Sequence, residues 1–428
     1  QDCKDAVVVN PVDRTDLVQD VLEANLQGGL FNLPAGQVRA AAGVSYRRNE
    51  FSFTPDPARD VNNTIDVPAG VFRASWTGGQ TRVKEVYGEL LLPVLRDLPL
   101  ARSLELELGA RHSSYNPGKS VPTYKALVNW APVDSLRIRG GYQLANRAPN
   151  IDELFRGVTN TVAVGIDPCL SAGTGSVSWG NVATNTTNRA QIQQLCSAII
   201  GSGSSDFDAD PDNYAFGSGV AAEIAVSSGN PDLKSEKGRT WTAGFVLTSP
   251  FSHAAFNNMS LSVDWYQAKI SDAIAAVSNT TAYELCFNRN GVSNPSYSLD
   301  DPNGMCRRIE RDEVSGARVR TFTPFANLGR LETSGIDLSF AWRAPLADLG
   351  MESLPGALSL NVSANKLLSF KEQEFPGQSI RDLDGTASRG GLFEYRTVTT
   401  ARYSNGPVQA GLTWRFYPKL RHADHAAN

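Results

Sequence analysis

From Leu104 to Arg111 the chain alternates without a break: Leu104, Leu106, Leu108 and Ala110 fall on one face, and Glu105, Glu107, Gly109 and Arg111 on the other. A period of two marks a β-strand, because successive side chains point to opposite sides. Leu136, Ile138, Tyr142 and Leu144 repeat the pattern against Arg137, Arg139 and Gln143, with Gly140 on the apolar side. So do Val38, Ala40, Ala42, Val44 and Tyr46 against Gln37, Arg39 and Ser45. Twelve such segments are predicted: 16–27, 37–53, 82–95, 102–115, 121–130, 135–146, 239–248, 258–271, 331–342, 357–370, 393–403 and 408–416. The first is ambiguous, since Leu17, Val18, Val21 and Leu22 suit a helical face equally well. Most have roughly 10–14 residues, more than the globular mode of about 5–6 and enough for a tilted membrane-crossing strand.

The connections between them alternate in length. Short links fall at 34–36, 96–101, 131–134, around Pro250, at 343–356 and at 404–407. Long ones fall at 54–81, 147–238, 272–330 and 371–392, with the turn 116–119 the exception. Turns at one end and loops at the other describe an all-β, antiparallel, up-and-down transmembrane barrel. A propeller or sandwich would spread its loop lengths and show repeats, and none is found. The stretch 147–238 reads as an irregular excursion. It begins with a capped turn in which Asn150 is the N-cap and Glu153 the capping-box partner.

Composition narrows the choice. A single domain of 428 residues implies a large closed β architecture; otherwise the chain has several domains. The net charge of −4, with no basic patch clustered along the sequence, argues against a nucleic-acid partner. Mean hydropathy is −0.25 and no apolar run approaches the roughly 20 residues of a membrane helix, which leaves barrels open. If the apolar faces meet lipid, Glu85, Glu89, Glu105, Glu107, Lys125, Arg137 and Arg139 face the lumen and pair across the ladder. A solvated sheet face would accommodate those charges as well. Trp130 and Trp342 stand at short-turn ends and Trp241 and Trp414 near long-loop ends, matching interfacial girdles. The chain starts at Gln1 without Met or a signal peptide and is therefore processed or excerpted.

Cys169 and Cys196 lie in one long loop, Cys286 and Cys306 in the next, and Cys3 precedes the first strand, all on the same side. Local pairs Cys169–Cys196 and Cys286–Cys306 are the economical connectivity in an oxidising compartment. Cys3 is left over, which implies a partner upstream of Gln1. Asp206, Asp208, Asp210 and Asp212 start like an EF-hand loop, but Pro211 and Gly217 occupy its required Gly and Glu positions, so a solvated acidic loop is expected. His422, Asp424 and His425 lack a further ligand and read as an exposed tail. Glu105 and Glu107 share a face as a glycosidase pair would, yet the lumenal reading already accounts for them. With no phosphate loop, nucleophile elbow or HExxH, neither an enzyme nor a cofactor or metal site is expected.

Arg147-Ala148-Pro149-Asn150-Ile151-Asp152-Glu153-Leu154-Phe155 resembles the R-A-P-N/S-x-x-E-L-F signature of TonB-dependent outer-membrane receptors. Asn230-Pro231-Asp232-Leu233-Lys234-Ser235-Glu236-Lys237 is similar to their N-P-x-L-x-P-E element, with Ser235 where proline is usual. Asn327-Leu328-Gly329 and Glu332-Thr333-Ser334-Gly335-Ile336-Asp337-Leu338 look like a third shared block. The resemblance covers nearly the whole chain. It implies a monomeric barrel of about 22 strands in bacterial outer-membrane lipid, plugged by an N-terminal domain. It also implies uptake of a siderophore, cobalamin or carbohydrate bound at the outer loops, energised by the inner-membrane TonB complex. Residues 1–428 depart from that pattern: they read as a partial barrel of about twelve strands without plug or TonB box, ending at Asn428 rather than on a terminal aromatic strand. Transport by this segment alone is not expected. The alternative function is a passive porin or surface-binding barrel without energy coupling, distinguished by whether a plug and TonB box precede Gln1.

Overall fold

The computed structural model describes residues 10–63, 73–164, 167–169, 188–200, 222–302, 304–312, 317–375 and 380–422. In chain order its strands are β1 Arg14–Leu33, β2 Gly36–Thr54, β3 Thr77–Leu98, β4 Ala101–Asn116, β5 Val121–Val133 and β6 Leu136–Arg147. The short β7 Thr159–Val164 and β8 Ala222–Ser227 follow, then β9 Glu236–Thr248 and β10 Met259–Ser271. Four more short strands come next: β11 Ile274–Ala276, β12 Ile309–Arg311, β13 Arg318–Phe322 and β14 Phe325–Asn327. The last are β15 Arg330–Pro345, β16 Ala357–Gln373, β17 Arg381–Asp382, β18 Tyr395–Asn405 and β19 Val408–Phe416.

All twelve expected segments are strands of one wall, in the order β1-β2-β3-β4-β5-β6-β9-β10-β15-β16-β18-β19, with β17 added to β16. Neighbours along this path are antiparallel and follow chain order. The ambiguous first segment is a strand of 20 residues. Its pairing with β2 runs from Arg14 opposite Thr54 to Leu33 opposite Gly36. Once a neighbouring edge is available, the alternation of Leu22, Ala24 and Leu26 with Glu23, Asn25 and Gln27 outweighs the helical spacing. Gly36 closes that hairpin at φ 140°, a value L side chains rarely adopt.

The register puts the polar residues on one face. Glu85 accepts from Ser45 at 3.0 Å and Ser113 at 2.6 Å. Lys125 lies 2.7 Å from Glu107 and 3.2 Å from Glu89. Arg139 grips both oxygens of Asp264 at 2.8 and 2.6 Å. The opposite face exposes Val44, Val86, Leu90, Leu108, Trp241, Leu412 and Trp414. No second layer covers it, because the hydrophobic cluster of the described residues consists of loop residues. So large an exposed apolar face is foreign to a soluble monomer and fits a lipid-facing wall.

Both limits of the lipid band are marked. Tyr124, Tyr142 and Trp241 form an aromatic row with ring centroids 5.9 and 4.5 Å apart. Beyond it, toward the long loops, the outer face turns ionic: Arg48 pairs with Asp20 and Glu50, and Lys269 sits 2.9 Å from Glu332. At the other end the indole of Trp130 donates to the Leu100 carbonyl at 3.0 Å, and that of Trp342 to the Ala255 carbonyl at 2.8 Å. Six residues separate Tyr124 from Trp130, roughly 20 Å of strand, close to the apolar band of about 25 Å in outer-membrane barrels. β1, β2 and β3, with 20, 19 and 22 residues, exceed the expected length because they run on past this band. Among the described residues β1 and β19 each have one strand neighbour, and their side chains are almost all exposed.

The excursion 147–238 is not simply irregular, which corrects the sequence reading. Helix α1 Ile151–Phe155 and helix α2 Arg189–Ile200 lie in it, and helix α3 Asn279–Cys286 lies in the next long loop. Strands β12, β13, β8 and β7 form a separate small sheet, in which β13 and β8 run parallel. Ile192, Leu195 and Ile200 of α2 pack with Tyr283, Leu285, Phe287, Met305 and Ile309 of the second loop. Phe375, from the loop after β16, completes this core. Two disulfides join it, Cys169–Cys196 with S–S 2.09 Å and Cys286–Cys306 with 2.08 Å. Three long loops thus share one outer module.

Candidate functional site

Where β6 leaves the wall, one arginine organises the chain. The Arg147 guanidinium donates to both oxygens of Glu236, at 2.6 and 2.7 Å, and to both oxygens of Glu153, at 3.0 Å each. Paired forks of this kind are stronger than neutral bonds and fix geometry. Glu153 also closes the capping box of α1: its carboxylate accepts from the Asn150 N–H at 2.7 Å, and its own N–H donates to Asn150 Oδ1 at 2.8 Å. Glu236 accepts from the Ile274 N–H at 2.7 Å, which reaches into the second loop. Ala148 and Pro149, partly exposed, carry the chain from strand to helix.

The second sequence block docks on the first. The Asn230 N–H donates to the Glu153 carbonyl at 2.8 Å, and the Gly229 N–H to the Arg156 carbonyl at 2.8 Å. The approach is so close that a Cβ on Gly229 would lie 2.7 Å from the Leu154 carbonyl oxygen, so this position requires glycine. Leu154 and Leu233 are buried beneath, while Pro231 stays exposed. The Phe155 ring lies against Gly79 of β3, where any Cβ would collide with it.

The third block joins through its first residue. Asn327 accepts from the Lys234 N–H at 2.8 Å and donates to the carbonyls of Lys234 and Asp272 at 2.7 and 2.8 Å. Asn230 Nδ2 reaches the Phe325 carbonyl at 2.9 Å, and the Arg156 guanidinium sits 4.7 Å over the Phe325 ring. Gly335 lies apart, on the wall. There it leaves room for Tyr266: a Cβ would fall 2.7 Å from the phenol ring and 2.9 Å from the Lys366 carbonyl.

Residues brought together in this way border a cavity of about 1270 Å³ on the polar side of the wall, at the long-loop end. Gln19, Asn49 and Tyr115 line it from the strands, and Arg147, Asn150 and Leu233 from the node. Its lining offers hydrogen-bond donors and acceptors beside apolar surface, which suits a small polar ligand. Among the described residues no group of three His, Cys, Asp or Glu side chains is placed to hold a metal. Cys3, the alternating aspartates 206–212 and His425 lie outside the described residues.

A second polar cluster, not anticipated from sequence, sits inside the outer module. Arg311 donates to both oxygens of Asp167, at 2.9 and 2.6 Å, and both side chains are almost fully buried. Glu223 accepts from Asn279 at 3.0 Å, Tyr283 at 3.1 Å and Thr321 at 2.8 Å. Arg318 lies 3.6 Å from both Asp167 and Glu223. Burial is the main cause that pushes the Tyr283 phenol well above its ordinary range. These charges join separate loops and reach no open surface, so their role is structural. The signals available were the alternation of 318–322 and the i, i+3, i+4 spacing of Ile192, Leu195 and Cys196.

The family model described as "TonB dependent receptor-like, beta-barrel" matches residues 10–427. No curated protein matches the chain in sequence. Among solved structures, the siderophore receptor PirA from Acinetobacter baumannii aligns with a TM-score of 0.51 at 12% identity, covering 96% of this chain and 44% of its own. A mutant of the ferric enterobactin receptor PfeA from Pseudomonas aeruginosa gives 0.53 at 11% identity, with 96% and 43% covered. A Serratia marcescens hemophore receptor, HasR, in complex with HasA and heme, gives 0.50 at 13% identity, with 95% and 52% covered. The chain therefore spans about half or less of these proteins, and the likeness is one of fold.

Proposed function

We propose, from the premise that the chain belongs to the TonB-dependent receptor β-barrel family, that it forms the ligand-facing wall and mouth of a receptor for a scarce nutrient. The family is one of bacterial outer-membrane transport receptors, so the apolar wall lies in outer-membrane lipid. The nutrient would be a siderophore, a cobalamin or a carbohydrate, captured at the outer loops and moved with energy from the TonB complex. One observation carries this reading: the sequence blocks of 147–155, 230–237 and 327–329 converge on a single node that borders the polar cavity under the outer module. A passive pore has no need of such a built mouth.

The wall described here would be completed by further strands and plugged by a separate domain, acting as a monomer. Among the described residues β1 and β19 each have a single strand neighbour, which supports this, since unpaired backbone groups in lipid cost several kcal/mol each. The test is uptake by the full-length receptor in cells, with and without an intact TonB complex, under starvation for iron, cobalamin or sugar. Uptake that depends on TonB and falls when Arg147→Ala is introduced supports the reading. Equal uptake without TonB would assign the protein to passive pores.

A further inference from the structure

We infer that the outer rim of the wall, above the aromatic row on β9, β10 and β15, binds the phosphorylated head groups of external-leaflet lipid. The inference needs the lipid-facing wall but not the uptake proposed above. In outer-membrane barrels the long-loop end is the external one. On β9 the lipid face carries Trp241, and Arg239 and Lys237 continue that face toward the long loops. The register sets Arg239 directly opposite Lys269 of β10, and Lys269 opposite Glu332 of β15. Arg330 shares the face of Glu332. That carboxylate is held by Lys269 at 2.9 Å and by Arg330 at 2.7 Å. On the β6 side the facing residues are Leu144 and Asn146, which carry no charge. Four cations thus meet one carboxylate on this face of β6, β9, β10 and β15. Among the described residues, Lys237 and Arg239 have no carboxylate within 4.0 Å.

Basic side chains beyond a lipid band are ordinarily just solvated, but three observations set these apart. Like charges directly opposite on neighbouring strands repel, yet Arg239 faces Lys269. Farther round the rim Arg48 faces Arg82, where Asp20 and Glu50 hold Arg48 alone. A bridging phosphate turns such a pair into a clamp, since its oxygens take forked bonds from arginine. Depth agrees. Arg239 lies two residues past Trp241, about 7 Å along the strand, within the polar layer of roughly 5–8 Å that flanks a bilayer core. The opposite rim shows no such surplus: there Arg102, on the face of Leu104, is held by both Asp97 and Asp134. One leaflet is therefore singled out, and clustered cations at head-group depth attract anionic lipid. Lys237 and Arg239 stand on the lipid side of the wall, turned from the lumen, so the ligand is a lipid and not a solute in transit.

Native mass spectrometry of the full-length receptor in a neutral detergent reads the site by titration. The probes are dioleoyl phosphatidic acid and dioleoylglycerol, which differ only in the phosphate. Phosphatidic acid should bind about tenfold or more tightly than dioleoylglycerol, and Lys237→Gln with Arg239→Gln should reduce that preference by about tenfold. Arg102→Gln, at the other rim, should leave it unchanged. Millimolar inorganic phosphate, at matched ionic strength, should not displace the lipid. Equal binding of the two lipids, a preference that survives the double substitution, or an equal loss with Arg102→Gln overturns the inference. So does displacement by phosphate, which would assign the rim to soluble anions. If the double variant fails to assemble, Arg239→Gln alone decides, with a reduction of about fivefold expected. The readout is lipid retention, so a loss of TonB-dependent uptake with this preference intact would count against the receptor reading alone.

Discussion

In the wall, Leu108 and Trp241 stand exposed, and among the described residues the hydrophobic core cluster contains no residue of the twelve wall strands. In the outer module, Tyr283, Leu285 and Phe287 are fully buried, and charged side chains are sealed in with them. The two regions belong to one chain yet are stabilised in opposite ways. Wall strands satisfy their backbone through neighbours and leave apolar side chains to lipid, so each strand is nearly interchangeable in chemistry. The module must exclude water by itself, and does so with a small core, two disulfides and a buried ionic network. Damage should therefore stay local: wall mutations should act through face, module mutations through partner.

The largest effect tests the wall. Leu106→Arg with Leu108→Arg should block assembly in a full-length receptor, at about 2–4 kcal/mol for each arginine near the midplane. Glu105→Arg with Glu107→Arg should cost far less. Its main loss is the half-exposed Glu107–Lys125 pair, and such pairs contribute about 0–1 kcal/mol. Heat-modifiable gel migration of both variants decides; equal damage would mean the faces are reversed.

Next in size is the module. Arg311→Leu leaves Asp167 buried beside a single distant cation, Arg318, and should cost about 3–5 kcal/mol. Limited proteolysis should show the loops opening while the wall keeps its mobility on gels. Simultaneous loss of both would erase the distinction between the regions.

A smaller effect is alkaline loosening. Burial holds the Tyr283 phenol above its unfolded value of about 10. The folded module therefore keeps this contribution below about pH 10 and loses it as pH rises further, because only the unfolded tyrosine ionises there. Tyr283→Phe should lower stability at neutral pH, through the lost bond to Glu223, and flatten the alkaline decline. Hydrogen exchange of α3 across pH measures both. Smallest is Asn150→Ala, which removes one side of the capping box and should cost about 1 kcal/mol, read as faster exchange at the node.

The wall was legible because period-two alternation survives any reasonable choice of boundary. Even β1, where Leu17, Val18, Val21 and Leu22 also suit a helix, carries the alternation in Leu22, Ala24 and Leu26 against Glu23, Asn25 and Gln27. The node was legible in part: Arg147, Asn150 and Glu153 were visible as a motif and a cap and Glu236 as part of a second block, but nothing in the sequence says that Glu236 would bind Arg147. The module escaped because its elements are short and its pairings distant. Asp167 and Arg311 are 144 positions apart, and β8 pairs with β13 across nearly a hundred residues. Local pattern carries no information about such contacts.

Phe375 enters a core built otherwise from two other loops, and this bears on how such a receptor can change over generations. A loop that stood alone could be traded for a homologue's, or lengthened, without consulting its neighbours. Here the tips after β6, β10 and β16 share one interior, so a graft of any single tip leaves a hole in the other two. Diversification of this surface must proceed by exchanging all three together, or by altering residues that face outward.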